Sequence, residues 1–175
     1  KVSLNAFFIK FVAEALKRHP DVNASWQGDK IIQYASIDVG LAVDAGAGLI
    51  TPVVRNCGNR GIVDIDGDLK VLIDKAKNGK LKPEDYTGAT FTISNLGSFG
   101  VEEFTAIINP PGSAILAIGK TKKTPVVQET TGEITTADIM KITLSCDHRV
   151  VDGAAGGRFL FDLQQMMESP VRLIF

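Results

Sequence analysis

The chain carries only two histidines and two cysteines, so few places in it can move a proton or a sulfur-borne group near neutral pH. One histidine lies in the run Asp147-His148-Arg149-Val150-Val151-Asp152-Gly153. Before it, Ile142, Leu144, Cys146, His148 and Val150 alternate with Thr143, Ser145, Asp147 and Arg149, the period of a strand with one apolar face. On that face His148 is expected to lose hydration. Desolvation disfavours the imidazolium and leaves a neutral ring able to accept a proton. After it, Phe159, Leu160, Leu163, Met166 and Met167 recur at helical spacing, with Asp152 placed to cap the helix start. The expected arrangement is a strand, a tight turn and a helix, with a candidate general base at the corner.

The second stretch that could do chemistry is Ala89 to Gly100, Ala-Thr-Phe-Thr-Ile-Ser-Asn-Leu-Gly-Ser-Phe-Gly. Its β-branched and aromatic residues make 90–94 a strand, and the polar and glycine positions that follow make a sharp exit. Ser94 then stands at the strand end, with Asn95 and Ser98 as weaker candidates in the turn. Each of these residues has a plain structural reading when taken alone. A histidine on an apolar strand is most often a packed core residue, an aspartate before a helix an N-cap, and a serine at a strand end a turn former.

The combined strings alter that balance. Asp147 to Gly153 resembles the Asp-His-Arg-x-x-Asp-Gly signature of the dihydrolipoyl acyltransferases, core components of 2-oxo acid dehydrogenase complexes, which are themselves similar to chloramphenicol acetyltransferase. Phe91 to Gly97 resembles the family's Phe-Thr-Ile-Ser-Asn-Leu-Gly segment, and Gly48 to Val53 its Gly-Leu-x-Thr-Pro-Val segment. The resemblance spans essentially the whole chain. Within the family, residues 48–54 and 107–111 look most like the acetyl-transferring, pyruvate branch; branched-chain and succinyl transfer are the alternatives, as is a non-catalytic core paralogue.

The resemblance implies an α/β fold, a two-layer sandwich with a mixed central sheet of the chloramphenicol acetyltransferase kind. It implies acyl transfer from S-acyl-dihydrolipoamide to coenzyme A, with His148 as general base, the Ser94 hydroxyl donating to the oxyanion, and Asp152 supporting the histidine loop. A thiol of ordinary pKa near ~8.5 is mostly protonated at neutral pH, so a positioned base raises its nucleophilicity as the new bond forms. It also implies a homotrimer assembling into a larger cage, in which His148 of one subunit faces Ser94 of the next and coenzyme A and the lipoyl arm enter from opposite ends of a channel. The implied partners are the 2-oxo acid decarboxylase/dehydrogenase and dihydrolipoamide dehydrogenase components. These are reached through lipoyl and subunit-binding domains absent from this sequence, which reads as one acyltransferase domain over residues 1–175, truncated at its N-terminus.

The elements that must hold these residues follow from periodicity. Phe7, Phe8, Phe11, Val12, Ala15 and Leu16 predict a helix from Asn5 to His19, stopped by Pro20. His19 is expected to be solvated at its polar end. Residues 21–26 read as a connection anchored by the only tryptophan, Trp26, as core filling. Strands are expected at 31–34 and 37–43, with a hairpin at Asp44 to Gly48; no Lys-Ser/Thr or helix follows Gly46-Ala47-Gly48, which argues against a phosphate loop. Ile62, Ile65, Leu69, Leu72, Ile73 and Ala76 predict a helix ended by Asn78-Gly79. The acidic run 64–68 within it lacks the sixth-position glycine and twelfth-position glutamate of a calcium loop. Residues 80–88 read as a polar connection, and 113–119 as a strand buried on both faces. A hairpin tip is expected at 130–133. The apolar end 170–175 is expected either to pack on its own subunit or to dock on a neighbour.

With 175 residues, 45% hydrophobic and 22% charged, the chain has enough material for one cored domain. A net charge of −1 supplies no electrostatic footprint for nucleic acid or an anionic membrane, and the apolar runs are too short to span a bilayer. Cys57 and Cys146 have no metal-ligand spacing, so a reducing compartment is expected, bacterial cytoplasm or mitochondrial matrix.

Overall fold

Helix α1 (Leu4–Arg18) begins where the Ser3 hydroxyl accepts a hydrogen bond from the Ala6 N–H at 3.3 Å, in the computed structural model, which describes residues 1–46 and 48–173. A first hairpin follows, β1 (Ala24–Trp26) against β2 (Ile31–Gln33), so the end of the stretch expected as a connection is itself a strand, paired with the one expected at 31–34. Next come β3 (Val39–Asp44), β4 (Leu49–Ile50), β5 (Val53–Val54) and helix α2 (Ile62–Lys77). Within the polar connection 80–88, Pro83 starts a single helical turn, α3 (Pro83–Tyr86). Strands β6 (Phe91–Asn95) and β7 (Ala114–Ile118) precede a second hairpin of β8 (Lys122–Val127) and β9 (Ile134–Ile139). The chain then runs through β10 (Ile142–Cys146) into helix α4 (Gly153–Glu168) and a 3-10 turn at Pro170–Leu173. Of the apolar tail, residues 174 and 175 lie outside the described residues.

The central sheet has the order β10-β7-β6-β3-β4, with β5 also paired to β3. β3, β6 and β7 run parallel, whereas β4, β5 and β10 are antiparallel to their neighbours. It is the mixed sheet expected. Alternation then sorts the side chains: Val39, Leu41, Phe91, Ile93, Leu116 and Ile118 join one core with α1, α2 and α4, while Gly40, Ala42, Thr92, Ser94 and Ala117 point to the opposite face. Two layers result, helices on one side of a sheet. Every residue of β7 is buried, as its continuous apolar run predicts. Phe91 and Phe159, both fully buried, meet at 5.6 Å between ring centroids and join sheet to α4; truncating either to Ala should cost ~3–5 kcal/mol.

Between β6 and β7 the segment 101–112 is tied down by very close backbone approaches. A methyl on Gly119 would collide with the Glu102 carbonyl, and one on Gly112 would lie 2.7 Å from the Thr90 carbonyl oxygen. The N-terminal end is fixed by Asp66 of α2, whose carboxylate accepts from the Ser3 N–H at 2.8 Å and pairs with Lys70.

Candidate active site

The β10 ladder on β7 ends at Cys146, paired with Ala114. Asp147 causes the ending. Its own N–H donates to the Ser113 carbonyl at 2.8 Å, its carbonyl accepts from the N–H groups of Val150 and Val151 at 2.9 and 3.0 Å, and its Oδ1 accepts from the Arg149 N–H at 3.0 Å. One aspartate therefore satisfies three following donors locally, and the chain turns rather than extends. His148 sits at the tip of this turn and is exposed. This corrects the expected position on the buried strand face: the alternation through Val150 continues in the sequence but not in the backbone. The desolvation expected to keep His148 neutral is accordingly not supplied by its own chain.

The turn is braced by charge. The Arg149 guanidinium holds the Asp147 carboxylate through Nε at 2.9 and 3.2 Å and through Nη2, and it lies 5.4 Å over the Trp26 ring. The hydrogen bonds from Arg149 hold the Asp147 carboxyl below the usual carboxylate range. Asp152 caps α4, its Oδ1 accepting from the Ala155 N–H at 2.8 Å. That N–H, helped by the one of Ala154 and by the nearby Arg158 guanidinium, holds its carboxyl below the usual carboxylate range. Burial pushes the Cys146 thiol up to about 11, so a nucleophilic thiolate beside His148 is excluded at neutral pH.

Ser94 is held by different means. It is the fourth residue of β6, in register with Ala42 of β3 and Ala117 of β7, and it is half-buried. Among the described residues its hydroxyl has no hydrogen-bond partner. Asn95 is engaged structurally: its Nδ2 donates to Asn5 Oδ1 at 2.8 Å and its Oδ1 accepts from the Gly97 N–H at 3.0 Å. Ser98 is exposed and lines, with Ser3, Asn5, Gly97 and Lys120, a cleft of about 370 Å³ at the same end of the sheet.

The sheet does not bring Ser94 and His148 together within one chain. Ser94 aligns with Ala117, which pairs with Thr143 near the start of β10, whereas His148 lies beyond the far end of that strand. Strand geometry places Ser94 roughly 14 Å from Cys146, with His148 two residues further on. Only His148 and Asp152 share a neighbourhood. No group of three His, Cys, Asp or Glu side chains among the described residues could hold a metal ion.

Two residues of the His148 surroundings carried no such reading in the sequence. Trp26, expected as core filling, is half-buried beneath Arg149, and Ser113 connects the turn to β1. The lone tryptophan was a visible signal for the first; nothing marked the second. His19, expected to be solvated, is largely buried, its Nε2 2.8 Å from Asp162 Oδ2 and its ring edge-on to Phe159.

Comparison with known proteins bears on this geometry. The family model of the 2-oxoacid dehydrogenases acyltransferase (catalytic domain) matches residues 1–175. The chain is 50% identical over 176 residues to the mitochondrial dihydrolipoyllysine-residue acetyltransferase component of the Schizosaccharomyces pombe pyruvate dehydrogenase complex, covering 99% of this chain and 36% of that protein. It is 46% identical over 174 residues to the corresponding Rickettsia conorii component, covering 99% and 42%. The chain thus spans about two fifths of the length of these relatives. Among solved structures, the cubic core of a pyruvate dehydrogenase multienzyme complex superposes with a TM-score of 0.94 at 33% identity, covering 100% of this chain and 72% of that one. An Azotobacter vinelandii dihydrolipoamide acetyltransferase structure, solved to examine a serine, a histidine and an asparagine in its catalytic mechanism, gives 0.94 at 32%, covering 100% and 72%. A chloramphenicol acetyltransferase shares the fold alone, with a TM-score of 0.60 at 16% identity, covering 93% and 77%.

Proposed function

The chain belongs to the family of 2-oxoacid dehydrogenase acyltransferase catalytic domains, and from that premise we propose that it transfers an acyl group, acetyl by preference, from S-acyl-dihydrolipoamide to coenzyme A in the core of a 2-oxo acid dehydrogenase complex. The carrying observation is the placement of a Ser94 hydroxyl without a hydrogen-bond partner among the described residues and an exposed His148 ring at opposite ends of one sheet. Each is half of a site, and two copies of the chain complete it. His148 of one copy takes the proton from the coenzyme A thiol as sulfur attacks the thioester carbonyl. The oxyanion of the tetrahedral intermediate accepts a hydrogen bond from Ser94 of the next copy, and its collapse breaks the carbon–sulfur bond to the lipoyl arm. The departing sulfur takes its proton back from the His148 imidazolium, so no net proton is lost and no acyl-enzyme forms.

Asp152 supports this arrangement. It follows the histidine by four positions, the spacing of the histidine and asparagine studied in the Azotobacter vinelandii enzyme. Asp152 here caps α4 and presents a negative charge to the turn. Burial against a neighbouring copy supplies the desolvation that His148 lacks on its own chain. A closed trimer, repeated into a cage, satisfies the requirement that every copy give one half-site and receive the other. The family match occupies all 175 residues, so the lipoyl arm and the sites for the decarboxylase/dehydrogenase and dihydrolipoamide dehydrogenase components come from outside them. Bacterial and mitochondrial relatives favour bacterial cytoplasm or mitochondrial matrix. Among the described residues no helix is long and apolar enough to cross a membrane.

The test is thiol acyl transfer by the assembled protein with acetyl-, succinyl- and isobutyryl-dihydrolipoamide. Acetyl should give the highest kcat/KM, and His148→Ala should lower kcat by at least ~10²-fold, the usual size of a general-base contribution. Full turnover in that variant would overturn His148 as the base, whereas no turnover by the unaltered assembled protein would mark it as a structural core member.

A further inference from the structure

The β1/β2 hairpin stands apart from the central sheet, yet two contacts join it to the turn that carries His148. The first is backbone: the Ala24 carbonyl accepts from both the N–H and the hydroxyl of Ser113, at 3.2 and 2.7 Å, and the Ser113 carbonyl in turn accepts from the Asp147 N–H. The second is a ring: Trp26 lies under the Arg149 guanidinium, whose fork grips Asp147. Both lines converge on the residues immediately before and after His148. The hairpin is stiff enough to act as a reference. Ser25, fully buried, bonds the Tyr34 hydroxyl at 2.9 Å, and the Asn23 amide donates to the Tyr34 and Ser36 carbonyls at 2.9 Å each.

We propose that Trp26 is a positioning residue for the general base: it fixes the Arg149 side chain, and through the Arg149–Asp147 pair it sets the direction in which His148 leaves the turn. The inference rests on the assignment of His148 as base. Asp147 alone closes the turn, but its carboxylate bonds would let the turn rock as a unit about the Ser113 contact. The ring restricts that freedom, because a guanidinium held over an aromatic face, here 5.4 Å from its centroid, is attracted to that face and so restrains the direction of its fork. An aliphatic side chain would fill the same space without holding either.

The experiment is a double-mutant cycle in the assembled protein, reading kcat, both KM values and thermal midpoint. Trp26→Leu should lower kcat about tenfold with both KM values unchanged, a loss in proportion to a small misplacement of a reacting group. Trp26→Phe, which keeps the ring face, should recover kcat to within about twofold. Arg149→Lys should reproduce Trp26→Leu, and it covers the case in which that variant folds poorly. In the His148→Ala background Trp26→Leu should have no further effect on the residual rate. An equal fractional loss in both backgrounds, a loss that tracks the thermal midpoint, or a Phe variant as impaired as the Leu one would each overturn the proposal while leaving the role of His148 intact. Full activity in His148→Ala would instead remove the premise itself.

Discussion

The two ends of the central sheet hold their functional side chains by different physics. At one end Ser94 is the product of register: backbone ladders to Ala42 and Ala117 fix its place, and no side chain is needed to aim it. At the other, His148 lies outside every ladder, in a turn made by the carboxylate and carbonyl of Asp147 and capped beyond by Asp152. A sheet position is rigid but not adjustable, whereas a turn held by ionised side chains can be shifted by small changes in charge or packing. In the roles proposed for them, Ser94 as oxyanion donor needs only to be preorganised while His148 as base must accept and return a proton, and the two kinds of support fit those demands.

The largest expected effect would break the comparison at its root. Ser94→Ala and His148→Ala should each abolish most turnover, the former by roughly 10²–10³-fold in kcat. If the half-sites belong to different copies, co-assembly of the two inactive variants in equal amounts should restore about a quarter of wild-type activity, since about a quarter of the interfaces then carry both intact partners. No recovery would place both groups in one copy and contradict the sheet geometry. Asp147→Ala comes next. It should lower kcat by about tenfold while leaving the ladder amides of β6 protected, because it unties only the turn. Asp152→Ala should lower the thermal midpoint by roughly 3 °C through loss of the α4 cap, and Asp152→Asn, which keeps an acceptor, should restore most of it.

The smallest effect is in acid. The carboxyls of Asp147 and Asp152 are both held below their ordinary values, by Arg149 and by the Ala155 N–H respectively. A depressed folded-state pKa contributes stability that is complete above the unfolded value near ~3.9 and is lost as pH falls through the lower folded one. Lowering the pH toward ~3 should therefore reduce the protection of the Arg149, Val150 and Ala155 amides relative to their intrinsic exchange rates, while Ile93 to Asn95 keep theirs. Equal loosening at both ends would show that the turn is not held by its carboxylates.

Much of the fold could be read from local pattern. The all-apolar run of β7, the stripe of α2 closed by Asn78-Gly79 and the Asp152 cap of α4 all depend on neighbours within a turn or two. The errors share a cause. His19 reads as solvated because its partner, Asp162, is 143 residues away, and Trp26 reads as core filling because Arg149 is also remote in sequence. The β10 boundary failed for a subtler reason: hydrophobic alternation does not register that one aspartate can satisfy the donors after it. The separation of Ser94 from His148 required strand order and direction, which neither motif contains.

The two glycine contacts that pin 101–112, Gly119 against Glu102 and Gly112 against Thr90, carry a consequence for variation. At each of them one backbone rests directly against another, so neither position has room for even one extra carbon. In a saturation library across this region, positions 112 and 119 should stand out as two columns that accept nothing but the wild type. The exposed positions of 101–112 itself, Ile107 among them, should tolerate most replacements. Natural drift in this crossing is then confined to what lies between its two pins.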